Sequence, residues 1–207
     1  MGLFTRELTS LDDLFLHGLK DIYYAENQIV KNLPKMIEAA TNAELKKGLK
    51  DHLAETEQQV VRLEQVFEIL GEKPKGTKCP GIDGILTEGD ELLGEVEGRI
   101  PTNAAVIAGA QAVEHYEITR YGTLIAWAHE LGKDEVVPLL ERNLREEKAA
   151  DKKLTAIAEQ RVNKGSKRKT ATKRRTSSGT RSRTARKVAK APAKPRKRPA
   201  ASRRRAS

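Results

Sequence analysis

The sequence lacks the features that mark secreted and membrane-spanning proteins. Cys79 is the only cysteine among 207 residues, so no intrachain disulfide can form and a reducing compartment is expected. No run of 18 or more apolar residues occurs, which argues against a membrane-spanning helix, and the opening stretch "MGLFTRELTS" has no signal-peptide core. Alternating β-branched runs are also missing, which favours helices over strands. We therefore expect a cytoplasmic, all-α protein with no membrane partner.

Acidic residues are missing from one part of the chain. Residues 161–207 contain 20 lysines and arginines and no Asp or Glu, whereas residues 1–160 contain 29 acidic and 19 basic residues. The formal net charge of +10 therefore averages an acidic body and a strongly basic tail. The tail also has too few apolar residues to offset the entropy of chain ordering. The sequence predicts one folded domain over residues 1–160 and a disordered tail over residues 161–207.

The tail has the composition of a polyanion-binding segment. Twenty cations without a counter-charge favour non-specific binding to phosphates, weakening with salt, and the absence of aromatic residues favours duplex DNA over single strands. Stretches such as "KVAKAPAKPRKRPAA" resemble the C-terminal tails of linker histones, which implies a nucleoid-associated protein. The alternatives are a solubility tail, a membrane-surface tail, or one that folds back on the acidic body; RNA is also a candidate polyanion. The candidate DNA-binding residues are Lys167, Arg168, Lys169, Lys173, Arg174, Arg175, Arg181, Arg183, Arg186, Lys187, Lys190, Lys194, Arg196, Lys197, Arg198, Arg203, Arg204 and Arg205.

The body shows four long segments with helical periodicity. They cover about residues 8–40, 42–70, 103–131 and 134–158, with Gly71 and Gly132 as predicted helix ends. Residues 71–84 are predicted as a loop, residues 85–98 as a short amphipathic piece, and "RIPTN" as a break. Short turns within two helical hairpins and a crossover of about 30 residues between them are typical of a ferritin-like four-helix bundle. A helical solenoid is the rival, but it would have only two repeats.

A carboxylate interrupts the apolar stripe of the first predicted helix. The positions at helical spacing are Phe15, Leu19, Ile22, Glu26, Ile29, Leu33 and Ile37. In each of the other three predicted helices, polar residues likewise interrupt the apolar stripe near the middle of the helix. The polar residues at or beside these four interruptions are Glu26, His52, Glu55, Glu114, Glu117, Glu147 and Asp151.

Several carboxylates facing one another in a bundle interior require a cation. A buried unpaired carboxylate costs several kcal/mol, and the stripes contain no Lys or Arg. Glu26 to Glu55 spans 29 residues and Glu117 to Glu147 spans 30, so each hairpin carries its pair at similar depth. We therefore predict that those seven residues bind two metal ions, most simply Fe or Mn, with Mg and Ca left open. In the alternative, the carboxylates are helix-edge residues in water or accept hydrogen bonds from Tyr23, Tyr24, Tyr116 or Tyr121.

Residues 8–160 resemble a known protein family. "LKDIYYAENQIVKNLPKMIEAA", "HLAETEQQVVRLEQVFEILGEKPKG", "VEHYEITRYGTLIAWAHELG" and "LLERNLREEKAADKKL" are similar to the YciE/YciF family of ferritin-like bacterial stress proteins, over about residues 8–160. The resemblance implies a ferritin-like bundle, a homodimer and a dinuclear metal site. The chain departs from the ferritin pattern, since His52 precedes Glu55 instead of following it and the fourth helix has no histidine.

Two functions fit these features. In the first, the protein is a metal-binding stress protein tethered to DNA, which detoxifies iron or peroxide; oxidase or peroxidase activity stays open. In the second, it structures the nucleoid, and the bundle serves mainly as a dimerisation module.

Overall fold

The computed structural model of the chain describes residues 7–164, which form a helical bundle without strands. The helices are α1 (Leu11–Ala39), α2 (Ala43–Ile69), α3 (Pro80–Glu95), α4 (Arg99–Glu130) and α5 (Val137–Ile157), and a π-helical turn (Ala158–Val162) follows. The all-α, ferritin-like fold class expected from the sequence is confirmed. No helix in the described residues is both long and apolar enough to cross a membrane.

The four long helices pack as two antiparallel hairpins, α1 with α2 and α4 with α5. Between the hairpins, α1 packs against α4 and α2 against α5, so each long helix contacts two others. Helix α3 lies along α1 and α4 and carries the chain from the end of α2 to the start of α4. This is the long crossover that the sequence predicts.

Local signals explain where the helices begin and end. Ser10 caps α1, because its hydroxyl accepts a hydrogen bond from the Asp13 backbone while the Asp13 side chain accepts one from the Ser10 backbone. Gly132 has a φ of 64° in the turn between α4 and α5, a conformation that favours glycine. Helix α1 passes through Pro34 without ending.

The crossover is more helical than the sequence indicates. Helix α3 begins at Pro80, inside the predicted loop, and α4 begins at Arg99, so the predicted break at "RIPTN" is wrong. Pro80 and Pro101 both lie in the first turn of their helices, where a backbone N–H has no intrahelical partner and proline therefore costs nothing.

A buried asparagine joins the two hairpins at one end of the bundle. Asn103 of α4 is only 6% exposed. Its side-chain oxygen accepts hydrogen bonds from the backbone N–H groups of Thr41 (2.9 Å) and Asn42 (3.1 Å) in the α1–α2 turn. This contact fixes the depth of α1 relative to α4 and hence of the side chains that face the bundle centre.

Candidate metal centre

Each long helix places a polar side chain in the middle of the bundle. The buried set is Glu26 from α1, His52 from α2, Glu114 and Glu117 from α4, and Glu147 from α5, none more than 6% exposed. Apolar residues lie above and below them on the same stripes, for example Leu49 and Leu63 on α2. The interrupted stripes predicted from the sequence therefore face the interior.

Four of these side chains converge on one point. Donor atoms of His52, Glu114, Glu117 and Glu147 all lie within 4.8 Å of one another. His52 Nε2 lies 3.2 Å from Glu114 Oε1. One imidazole nitrogen and three carboxylates at this spacing can hold a metal ion.

The unsatisfied atoms in this cluster also fit a cation. Glu114 Oε2, Glu147 Oε2 and both carboxylate oxygens of Glu117 are buried without a hydrogen-bond partner within residues 7–164, and so is His52 Nδ1. Buried polar atoms in native proteins are almost always paired. A cation among the oxygens would supply the missing interaction.

Glu26 lies beside the cluster and is held by a series of hydrogen bonds between buried side chains. The Arg62 Nε–H donates to Asn143 Oδ1, the Asn143 amide donates to the Tyr121 hydroxyl (2.8 Å), and that hydroxyl donates to Glu26 Oε1. Because arginine can only donate, the Asn143 oxygen is the acceptor from Arg62 and the Asn143 amide nitrogen is the donor to Tyr121. Glu26 therefore accepts through Oε1, while Oε2 has no partner within the described residues.

A glutamine of α2 orients the carboxylate of α5. Gln59 is fully buried, and its amide donates to Glu147 Oε1. The same nitrogen lies 3.3 Å from Glu146 Oε2. Among the described residues, the other oxygen of Glu147 has no hydrogen-bond partner, as in Glu26.

Two residues in the predicted ligand set lie outside the four-residue cluster. The Glu55 side chain is 50% exposed, with Oε2 4.0 Å from His52 Nδ1. Asp151 accepts a hydrogen bond from Gln111 (2.8 Å) and lies 3.4 Å from His115 Nε2. The structure thus brings together five of the seven predicted residues and places these two nearer the surface.

Burial dominates the electrostatics of the centre. Burial and the Glu147 charge raise the pKa of Glu26, and burial raises the pKa of Glu117 well above its usual range. The pKa of Glu114 is raised to about 11, mainly by burial and secondly by a hydrogen bond with Glu147. Burial raises the pKa of Glu147 to about 7. Burial and the Lys153 cation lower the pKa of His52 to about 4. Without a cation the other three glutamates therefore retain protons at neutral pH, Glu147 is partly ionised, and the histidine is a neutral ligand.

Sequence reasoning missed the supporting groups around the centre. Arg62 is only 7% exposed, and besides its contact with Asn143 it forms an ion pair with Glu146. Its position three residues after Gln59 on the buried face of α2 was the available signal. The predicted DNA-binding residues, 167–205, lie outside the described residues.

Comparison with known proteins agrees with this fold. The family described as a domain of unknown function, DUF892, matches residues 10–167. Protein YciF of Escherichia coli (strain K12) is 41% identical over 158 residues, which cover 76% of this chain and 95% of YciF.

Solved structures are similar over the same part of the chain. YcfI from Rhodopseudomonas palustris is 58% identical with a TM-score of 0.74, and the E. coli stress protein YciF is 41% identical with a TM-score of 0.72. Each match covers 75% of this chain and 99% of the other. A protein from Xanthomonas campestris pv. campestris, 22% identical with a TM-score of 0.60 over 78% of this chain and 99% of its own, shares the fold. The chain therefore belongs to the DUF892 family, the YciE/YciF group of ferritin-like bacterial stress proteins that the sequence predicted.

Proposed function

We propose that this protein is a stress protein whose bundle binds two metal ions, iron or manganese, at a dinuclear centre. The observation that carries the proposal is a set of four glutamates buried around one histidine, with carboxylate oxygens that have no hydrogen-bond partner within residues 7–164: Glu26, Glu114, Glu117 and Glu147.

Charge balance favours two ions over one. When ionised, the four glutamates carry four negative charges, and His52 is neutral at pH 7 because of its lowered pKa. One divalent cation would neutralise only two of these charges, and the other two carboxyls would have to retain their protons and could not serve as anionic ligands. Two divalent cations neutralise the set.

The residues divide naturally between two positions. His52, Glu114, Glu117 and Glu147 would hold one ion, since their donor atoms lie within 4.8 Å of one another. The carboxyl of Glu26 interacts with those of Glu117 and Glu147, and the three would hold the second ion. A histidine among carboxylates favours iron or manganese over Mg²⁺ and Ca²⁺, which prefer oxygen ligands alone.

Such a centre would serve in the detoxification of iron or peroxide. A redox-active metal pair held there would supply the electrons that reduce dioxygen or peroxide. The chain holds the ions out of water and fixes the Glu26 and Glu147 carboxylates through Tyr121 and Gln59. The description of the E. coli relative as a stress protein is consistent with this role.

Metal analysis of the full-length protein purified without chelator tests the proposal. We expect about two equivalents of transition metal per chain and a large loss in the double variant Glu117→Gln/Glu147→Gln. The control is Glu57→Gln, an exposed glutamate on α2, which should retain the metal. Less than one equivalent in the wild type, or equal content in the double variant, would refute the centre, and anomalous diffraction across metal edges identifies the ions.

We further propose that residues 161–207 tether the protein to duplex DNA. The support is their charge of 20 cations and no anion, joined to an acidic body. Affinity should fall steeply with salt, because binding releases counterions. Full-length protein and a variant ending at residue 164 are compared for duplex binding at several salt concentrations; equal affinity would contradict the tether.

The basic tail also favours a second candidate function, the structuring of the nucleoid. A homodimer with two tails would bridge DNA segments, and the bundle would act mainly as the dimerisation module. In that case DNA compaction by Glu117→Gln/Glu147→Gln should equal that of the wild type. Loss of compaction in this variant, with its dimer intact, would contradict the second candidate.

A further inference from the structure

A cavity between α2 and α5 leads from the protein surface to the metal centre. Its volume is about 90 Å³. Its walls are apolar or small, formed by Gly48, Leu49, Ala149, Ala150, Leu154 and Ile157. His52 and Glu114 line its buried end, whereas Glu55 and Lys153, with side chains 50% and 48% exposed, line its outer end.

His52 stands between a carboxylate of the centre and a carboxylate of the surface. Its Nε2 lies 3.2 Å from Glu114 Oε1, and its Nδ1 lies 4.0 Å from Glu55 Oε2. The Nδ1 atom is buried and has no hydrogen-bond partner within residues 7–164. A neutral imidazole has a lone pair on only one nitrogen. While Nε2–H donates to Glu114, Nδ1 can bind a cation at the outer end of the cavity; after a change of tautomer, Nε2 can bind one at the centre.

Lys153 lies over the outer end of the cavity. Its Nζ is 3.1 Å from Asp51 Oδ2 on α2, so the side chain bridges α5 and α2. The Lys153 side chain lies over Gly48, where a Cβ would be in ordinary contact with Lys153 Cε at 3.4 Å. The ion pair is about half exposed, and such pairs contribute little free energy, so it can open without unfolding the helices.

A second cavity reaches the centre from beneath α3 but is unsuited to a hydrated cation. It has a volume of about 10 Å³, which is the space of about one water molecule. Apart from His52 and Glu114 its lining is Ile29, Asn32, Leu33, Met36, Leu86, Ala110 and Val113. A metal ion passing there would lose its water ligands to apolar walls, which is costly for a charged group.

We propose that the cavity between α2 and α5 is the path by which metal ions reach the centre. Glu55 and His52 Nδ1 form the outer position that captures the ion, and the Lys153–Asp51 pair is the gate across the path. This inference rests on the proposed metal centre and gives Glu55 a role in loading rather than in final coordination. Capture by a partly exposed carboxylate accelerates loading, while the Lys153 cation slows it by repulsion.

Loading kinetics of the metal-free, full-length protein test the path. Mn²⁺ is mixed with chelator-treated and dialysed protein, and the decay of the free-ion magnetic resonance signal gives the loading rate. We expect Glu55→Gln to load about tenfold more slowly than the wild type and Lys153→Met to load faster, both with unchanged final stoichiometry. The Glu55→Gln effect should shrink at high salt, because exposed charges are screened. The controls are Glu57→Gln on α2 and Asp90→Asn on α3, which lines another cavity; both should load at the wild-type rate.

Other results of the loading experiment would separate failure of the path from failure of the metal centre. Wild-type loading in Glu55→Gln, or slow loading in Asp90→Asn, would refute the path between α2 and α5. A lower final stoichiometry in Glu55→Gln would make Glu55 a ligand of the centre, which overturns the inference and retains the proposed function. Absence of bound metal in the wild type at equilibrium would overturn the centre and the path together.

Discussion

The metal-free protein should lose stability as the pH rises from about 7.5 to about 9, above the range in which ordinary glutamates and histidines titrate. Burial raises the pKa of Glu114 from 4.5 to about 11, and the pKa values of Glu26 and Glu117 are also raised. The folded protein therefore binds protons that the unfolded chain has released. Linkage then requires the free energy of unfolding to fall with increasing pH.

The size of the effect follows from the number of retained protons. Each one lowers the free energy of unfolding by about 1.4 kcal/mol per pH unit, so Glu114 alone contributes about 2 kcal/mol over this range. Glu26 and Glu117 act in the same direction, and Glu147, with a pKa of about 7, adds a smaller share. The total is a large fraction of the roughly 5–15 kcal/mol that stabilises a typical domain.

Urea denaturation followed by circular dichroism measures this slope. Chelator-treated full-length protein is compared with Glu114→Gln, which cannot retain the proton and should lose about 1.4 kcal/mol per pH unit of the dependence. Glu57→Gln is the matched control, since its exposed carboxyl on α2 should leave the slope unchanged. With bound metal the carboxylates are ionised in the folded state, so the decline should disappear.

Two results would refute this reasoning. A free energy of unfolding that is constant or rises between the two pH values would show that the buried glutamates are ionised without metal. An equal slope in Glu114→Gln and the wild type would assign the dependence to other groups.

Three substitutions test the supporting structure in thermal or urea unfolding. Tyr121→Phe removes the hydroxyl that holds Glu26 and should lower the free energy of unfolding by about 2 kcal/mol. Tyr23→Phe at the surface should lower it by less than about 1 kcal/mol. Equal losses would contradict the buried hydrogen-bond series from Arg62 to Glu26. Asn103→Ala leaves two backbone N–H groups of the α1–α2 turn unpaired and should also lower the free energy of unfolding by about 2 kcal/mol. A change near zero would show that these hydrogen bonds do not stabilise the contact between the hairpins. Gly132→Ala forces a side chain into positive φ and should cost about 1 kcal/mol, and a neutral result would show that the turn relaxes.

Most of the fold could be predicted because the long helices carry local signals. Gly71 and Gly132 end helices where the sequence places them, and Ser10 is a cap because Asp13 follows three residues later. The start of α3 at Pro80 could not be predicted with equal ease. A proline among Gly and Lys residues is typical of a loop, and only packing against α1 and α4 favours a helix there.

The residues of the candidate site could be predicted from the sequence, but not the direction and burial of every side chain. Helical spacing indicates which residues share a face, and on that basis Glu26, His52, Glu117 and Glu147 were predicted to point inward, as they do. Glu55 lies three residues after His52 on nearly the same face. The two side chains point about 60° apart around the helix axis. Helical spacing alone does not show that this difference leaves Glu55 half exposed while His52 is buried.

The contribution of α2 explains why the order of His52 and Glu55 matters. With the histidine on the buried face, Glu55 is directed to the surface, and Gln59 one turn further holds Glu147 with a neutral amide. Helix α2 thus adds a nitrogen ligand and a hydrogen-bond donor to the interior but no negative charge. The number of buried glutamates stays at four, which two divalent cations neutralise. A buried fifth carboxylate would require further compensation, so the reversed order is consistent with a dinuclear centre and leaves Glu55 free to capture ions at the surface.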